Sequence, residues 1–482
     1  MKKLSAIICL LLVFSLLCSC AKEGESGSYD SAADFTKEDG ELYSDVPHER
    51  YDGYIFRILN AKTQSSASVL DAETVTGDNL NEAIFVRNTN VEERLDIEIE
   101  EIREAPEKIF DMASAACLAG DGTYSAVCNT SSMQAAMAVN GYIASLRYLS
   151  GMDLNKPWWN MSAIENASVD GVYFFFFGDI QLSYYDAHSM VAVNMAMVED
   201  IEGMKNPYSL VDRGEWTFDA MLRMMQDASY DMDGNASMTY EDRYGTATDP
   251  SMLLPLIIGC NTSLSARDEY GLPFMKCLTD EKFYDSFALV SDNLFERNDF
   301  LYDTVKNEAD GMSSAAMFKT GRTLFYVSTV GALANLRTMD YEIGVLPMPK
   351  FSEMQTDYVS FISGEHASAF GVIATGRNLK RTSIILENMA AESHREGGVR
   401  DCFVDKVLSF RYVDDEKSRK NLMDILSSGF LDPADIYGWG GIVERIEGIA
   451  GKSDVFSSTL ASVRLKSLSD INDTVENVNK YR

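Results

Sequence analysis

Between Tyr54 and Cys128 the chain alternates stretches of strand and helix character, and this order limits the fold more than any single residue does. Tyr54-Ile-Phe-Arg-Ile-Leu59 is apolar and β-rich, and Asn79 to Glu93 sets Leu80, Ala83, Ile84 and Val86 among polar residues as an amphipathic helix would. Leu95 to Ile102 then alternates apolar and acidic residues, the pattern of a strand with one wet face. A helix over Ile109–Leu118 and a strand over Tyr124–Cys128 complete an α/β unit. The rhythm restarts with an apolar strand from Gly171 to Phe177 and continues through strands at Thr323–Val327, Tyr341–Leu346 and Ala369–Ala374 to a helical zone from Leu379. Thr217 is placed to cap a helix, with Trp216 and Met221 stapled across the cap. A chain of 482 residues is too long for one ordinary domain, so two or more lobes are expected.

Lys2 and Lys3 precede an apolar run from Leu4 to Leu17 that is too short to span a bilayer, which needs roughly 18–20 residues. It reads as a signal peptide. Leu17-Cys18-Ser19-Cys20 resembles a bacterial lipobox, with Cys20 the residue expected to carry the lipid. Ala21 to Pro47 holds only scattered apolar residues and reads as a flexible tether. Five cysteines remain, Cys117, Cys128, Cys260, Cys277 and Cys402, which allow at most two internal disulfides. A Cys260–Cys277 pair and free buried thiols are both compatible with that spacing.

Lys plus Arg number 42 against 74 Asp plus Glu, a formal charge of -32 that repels nucleic acid from most of the surface. No G-x-S-x-G, H-E-x-x-H or C-x-x-C is present. Gly448-Ile-Ala-Gly451-Lys452-Ser453 imitates part of a phosphate loop, but Ile446 stands where its first glycine belongs, and the segment reads as a helix terminus. The four histidines, His48, His188, His366 and His394, are far apart in sequence, and none is assigned catalysis. Nothing singles out two carboxylates as a glycosidase pair.

Two features remain. Asp231, Asp233, Asn235, Ser237, Thr239 and Asp242 occupy the oxygen-ligand positions of a calcium loop, although Ala236 replaces its turn glycine and Glu241 falls one residue before the closing position. A weak structural calcium and a metal-free turn rich in Asx residues are both open. Pro157-Trp158-Trp159-Asn160 and Tyr437-Gly-Trp439-Gly-Gly441 place indoles in apparent loops, where a ring can stack on a sugar or fill a gap between lobes. Stacking is expected for at least one of Trp159 and Trp439.

Four segments carry a resemblance. Val193-Asn194 follows a strand; Asn206-Pro207-Tyr208, Gly214-Glu-Trp216-Thr217 and Tyr244-Gly245 frame a helix and an acidic loop; Met317-Phe-Lys-Thr-Gly321-Arg322 precedes Tyr341-Glu-Ile-Gly344-Val-Leu-Pro347-Met-Pro349-Lys350; and Leu386-Glu387-Asn388 opens the stretch to Ser393. Together they resemble the extracellular solute-binding lipoproteins of ATP-binding-cassette importers, the group that includes maltose-binding and other sugar-binding proteins. The resemblance implies a two-lobed periplasmic-binding-protein-like fold with a hinge of crossing strands. Its divisions are a signal peptide over 1–19, a tether over 20–50, lobe I from 51–180 plus 347–395, and lobe II from 181–346 plus 396–482. It implies a monomer on the outer face of the cell membrane that takes a mono- or oligosaccharide, hands it to permease subunits, catalyses nothing and requires no cofactor. By position it implies ligand contacts at Asn60, Lys62, Thr63, Asn129, Thr130, Gln134, Asp179, Tyr184, Ser328 and Thr329, with Trp159 and Trp439 as the stacking rings. A surface-tethered glycoside hydrolase and a ligand sensor for a membrane kinase are the rival readings. The stretch Glu396–Gly429 has no counterpart in the pattern.

Overall fold

The computed structural model describes residues 43, 45–63, 65, 68–72, 78–296, 300–336, 339–408 and 415–481. The signal peptide, Cys20 and the tether through residue 42 lie outside the described residues. In the first lobe β1 (Tyr54–Ala61), β2 (Ile97–Glu104) and β3 (Ala126–Thr130) run parallel, joined by α1 (Asn79–Leu95) and α2 (Pro106–Ala119). Asp78 caps α1 by accepting from the Leu80 and Asn81 amides, and Asp96, at a φ of 54°, ends it. That left-handed residue is why β2 starts at Ile97, two residues after the expected Leu95. Thr130 caps α3 (Ser131–Val139), which leaves β3 directly, and α4 (Met161–Asn166) precedes β4 (Phe175–Phe176). β4 is shorter than the apolar run that suggested it.

The chain then crosses through α5 (Ser183–Asp186) into a second sheet. Its elements are β5 (Ser189–Asn194), α6 (Phe218–Ala228), β6 (Tyr244–Thr248), α7 (Leu253–Gly259), β7 (Leu301–Asp303), β8 (Thr323–Thr329) and β9 (Ile343–Leu346). The strand order is β9-β5-β8-β6-β7, with β5 antiparallel to both its neighbours. Thr217 caps α6 by accepting from the Ala220 amide, while Trp216 and Met221 are both fully buried, as the staple requires. Trp216 also donates its indole N–H to the Pro347 carbonyl at 2.9 Å, fastening the helix start to the chain after β9.

The return passage contains β10 (Ser360–Phe361) and leads to β11 (Ser368–Val372), which completes the first sheet in the order β2-β1-β3-β11-β4. α8 (Leu379–His394) follows, packed on α1, and every residue from Thr382 to Ser393 is buried. Beyond it α9 (Glu416–Ser427) accounts for part of the stretch that had no counterpart: Ser418 Oγ accepts from the Val345 amide and Asn421 Nδ2 donates to the Val345 carbonyl, both at 2.8 Å, so α9 lies on β9. β12 (Gly429–Phe430) then pairs with β10. Three chain passages thus run side by side between the sheets: His188 bridges Ile362, Ser189 Oγ donates to the Phe361 carbonyl at 2.6 Å, and Ser360 Oγ to the Ser189 carbonyl at 2.8 Å. Short paired passages that link two sheets suit a hinge.

The C-terminal stretch expected in lobe II touches both lobes. Phe456, which opens α11 (Phe456–Lys480), stacks on Phe287 of the second lobe at 3.8 Å between centroids, while Asn479 reaches Asp170 of the first at 2.7 Å. α10 (Ile442–Glu447) precedes α11 in sequence and packs against it. Cys117, Cys128, Cys260, Cys277 and Cys402 are all buried free thiols, which settles the disulfide alternative against a Cys260–Cys277 bond. No helix among the described residues is long and apolar enough to cross a membrane.

Candidate ligand-binding cleft

Parallel strands aim their carboxyl ends the same way, so the loops after β1, β3 and β4 of the first lobe gather at the end of the sheet that meets the hinge. Lys62 and Thr63 are exposed there, and Thr63 Oγ1 accepts from the Ser65 amide. Ser65 Oγ in turn donates to Asp186 at the end of α5 in the crossing passage. Asp186 is closely flanked by the turn after β8, since a Cβ on Gly331 would lie 3.0 Å from its Cβ. Burial pushes the Asp186 carboxyl up to about 6, against which the Ser65 hydroxyl acts. Ser328 and Thr329, half-buried at the end of β8, stand next to that turn, and Ser328 donates to the Tyr326 hydroxyl at 3.1 Å. Of the expected contacts, Lys62, Thr63, Ser328 and Thr329 are therefore the ones that keep exposed surface close to the junction of the two lobes.

The other expected contacts do structural work. Asn60, 1% exposed, donates to the Ser68 carbonyl at 2.7 Å and to Glu101 at 2.5 Å, shaping the loop after β1. Asn129 is fully buried between the Pro106 carbonyl and the Thr130 amide, and Gln134 donates to the Val127 and Ala369 carbonyls, tying β3 to β11. Thr130 spends its hydroxyl capping α3. Asp179 is buried against His394 at 2.5 Å, with the Tyr185 hydroxyl at 3.3 Å and Arg400 at 3.9 Å; burial raises its carboxyl above the usual range, and His394 opposes this. Tyr184 packs in the core between Phe177 and His188.

Neither stacking ring offers a free face in this conformation. Trp159 is 5% exposed, set edge-on to Phe176, and donates to Glu387 at 2.9 Å, beside Trp158, which donates to the same carboxylate at 3.2 Å. Trp439 is fully buried, stacked on Tyr437, with its N–H on Thr474 at 3.0 Å. The glycines around it serve close packing: a Cβ on Gly440, whose φ is 74°, would fall 2.1 Å from Ser467 Oγ on α11. Indoles with a polar partner and full burial are core residues here.

In the acidic loop the carboxylates of Asp231, Asp233 and Asp242 offer oxygens within 4.8 Å of one another. The same oxygens accept backbone amides: Asp231 from Gly234 and Ala236, Asp233 from Asn235, Asp242 from Met232 and Thr239. Asn235 accepts from the Ser237 amide, and Thr239 Oγ1 donates to Asp242. The three expected carboxylates converge, Asn235 and Thr239 bond to two of them, and the loop is closed by its own Asx turns.

A second part of the cleft has no counterpart among the expected residues. Ser132 at the start of α3, the turn Ser363–His366 ahead of β11, and Asp435, Glu444 and Glu447 line a cavity of about 410 Å³. Gly364 is its keystone. Its carbonyl accepts from the Ser132 amide at 3.1 Å, its amide donates to Asp435 at 2.6 Å, and a Cβ there would sit 2.8 Å from Ser132 Oγ. Burial pushes Asp435 up to about 7, and Glu447 likewise to about 7, with Glu444 and Asp249, just past β6 in the second lobe, adding repulsion. The polar Ser-Gly-Glu-His run directly before an apolar strand was the available signal for this turn.

Two α/β lobes, three passages between them and polar loops facing across the junction define an architecture that can be compared with solved structures. Three align with nearly their whole length. An ABC substrate-binding protein of Listeria monocytogenes in complex with cycloalternan is 12% identical, with 89% of this chain and 99% of that one covered at a TM-score of 0.53. A sugar transporter protein of Rhizobium etli in an open conformation is 12% identical over 89% and 99%, at 0.55. UspC of Mycobacterium tuberculosis is 14% identical over 86% and 100%, at 0.57. The chain has the fold of the ABC substrate-binding proteins. No family model matches the sequence, and no curated protein matches it.

Proposed function

We propose that the chain captures a carbohydrate between its lobes by closing about the hinge, and delivers it unchanged to the membrane subunits of an ABC importer from a lipid anchor on Cys20. The observation that carries this reading is the junction itself: hydroxyls and carboxylates on loops of both lobes and of the hinge face one another, with Ser65 of the first lobe already bonded to Asp186 of the crossing passage. Such groups exchange hydrogen bonds with sugar hydroxyls, and water-exposed loops on a hinge can close over them. The cycloalternan complex of the Listeria protein and the sugar transporter of Rhizobium support the choice of carbohydrate. With both indoles buried, affinity in this reading rests on polar contacts.

The test is a thermal-shift screen of the mature chain against mono- and oligosaccharides and peptides, with every stabilising ligand recovered and analysed. A saccharide at about a hundred times its Kd stabilises by roughly 2.7 kcal/mol and should be recovered intact. Recovery of cleaved sugar would replace the receptor with a hydrolase, and a response to peptides alone would discard the carbohydrate.

A further inference from the structure

A cavity of about 460 Å³ opens between the lobes and shares no residue with the cleft residues described above. Ser162 and Asn166, on α4, line it from the first lobe; Asn261, Ser263, Arg267 and Lys276 line it from the second, and β12 of the hinge forms part of its wall. In a chain with 74 acidic residues, no carboxylate stands among the described residues of this lining. The side chains of Ser162, Asn166, Asn261 and Ser263 form no hydrogen bond among the described residues. Arg267 Nη2 donates to the Glu165, Asn166 and Ser168 carbonyls at 2.6, 3.2 and 2.9 Å, and to Ser168 Oγ at 3.2 Å, which fixes the guanidinium across the lobe boundary; its Nε and Nη1 have no partner among the described residues. Lys276 pairs with Asp280 at 3.3 Å, and Asp432 lies behind Ser265, to which it is bonded.

We propose that this cavity is a second solute site, for a small polyhydroxylated carboxylate such as a sugar acid. A guanidinium held in place with two free donor positions suits a carboxylate, and four uncommitted hydroxyl and amide groups suit the hydroxyls of the same molecule. The volume falls within the range of about 300–1,000 Å³ usual for small-molecule sites. The proposal stands independently of which carbohydrate the cleft takes.

The test is calorimetric titration of the mature chain with glucuronate, with glucose as the neutral control. Glucuronate should bind the unaltered chain, about tenfold more weakly to Arg267→Ala, the scale of one lost charge-assisted bond, and no more weakly to Ser65→Ala in the cleft. Because Arg267→Ala removes four hydrogen bonds and can fail to fold, Ser162→Trp, at an exposed position on α4, serves as the second variant and should block the cavity. Absence of glucuronate binding, binding unchanged in Ser162→Trp, or glucose binding of equal strength with the same sensitivity would each overturn the proposal.

Discussion

Glu387 is buried to 1% exposure with three donors on its carboxylate: the Trp158 and Trp159 indoles and the Asp153 amide, the last at 3.2 Å. Burial outweighs these bonds and pushes its carboxyl from 4.5 up to about 7. An acid whose folded pKa is raised binds its proton more tightly when folded. Stability therefore falls as pH rises from about 4.5, where the unfolded chain ionises, to about 7, where the folded one does. Above that window the full cost is present. At roughly 1.4 kcal/mol per unit it amounts to about 3 kcal/mol. Glu387→Gln cannot ionise, so the variant should gain on the unaltered chain as pH rises: the difference between the two should change by about 3 kcal/mol from pH 4.5 to pH 8, in favour of Gln. A fixed offset at all pH values is expected as well, because the Gln amide turns an N–H toward one indole and leaves that donor unpaired, a cost of about 1–3 kcal/mol. Urea unfolding of both proteins across that pH range, followed by tryptophan fluorescence, isolates the pH-dependent part by subtraction. A difference that does not change with pH would refute the argument that desolvation controls this carboxyl.

Other expectations are simpler to check. Ser65→Ala removes the bond from the first-lobe loop to Asp186, and calorimetry should show the captured sugar held roughly fivefold more weakly, the scale of about 1 kcal/mol for one hydrogen bond, with melting temperature little changed. Trp439→Phe loses the bond to Thr474 and should lower stability in chemical denaturation by about 1 kcal/mol while leaving sugar affinity unaltered; a large loss of affinity would restore the ring to the ligand site. Millimolar calcium should leave the melting temperature where a chelator leaves it, because the carboxylates of the Asp231–Asp242 loop already hold its amides.

Features written locally in the chain were legible in it. The Thr217 cap with its Trp216–Met221 staple and the strand-helix alternation of the first lobe depend on neighbours a few residues apart, and they are found where the pattern put them. The strand-end positions that the resemblance pointed to, such as the exposed Lys62 and the half-buried Thr329, do keep side-chain surface open to solvent. Asn60, Asn129 and Gln134 do not. A polar residue at a strand end looks the same in sequence whether it meets a solute or, as here, the carbonyls of an adjoining loop or strand. The glycines beside Trp439 suggested a mobile loop, yet they admit α11, whose contact lies far along the chain. Asp186 and Asp435 escaped notice because their partners, Ser65 and Gly364, stand 121 and 71 residues away and are brought near only by the hinge topology.

The claim on which the account turns is closure of two lobes over a carbohydrate. Small-angle X-ray scattering of the mature chain, with and without the saccharide that stabilises it, addresses that directly. A smaller radius of gyration on binding, reversed when the sugar is dialysed away and recovered intact, is the predicted result. An unchanged radius at saturating sugar would contradict it, leaving a rigid binding surface in place of a closing receptor.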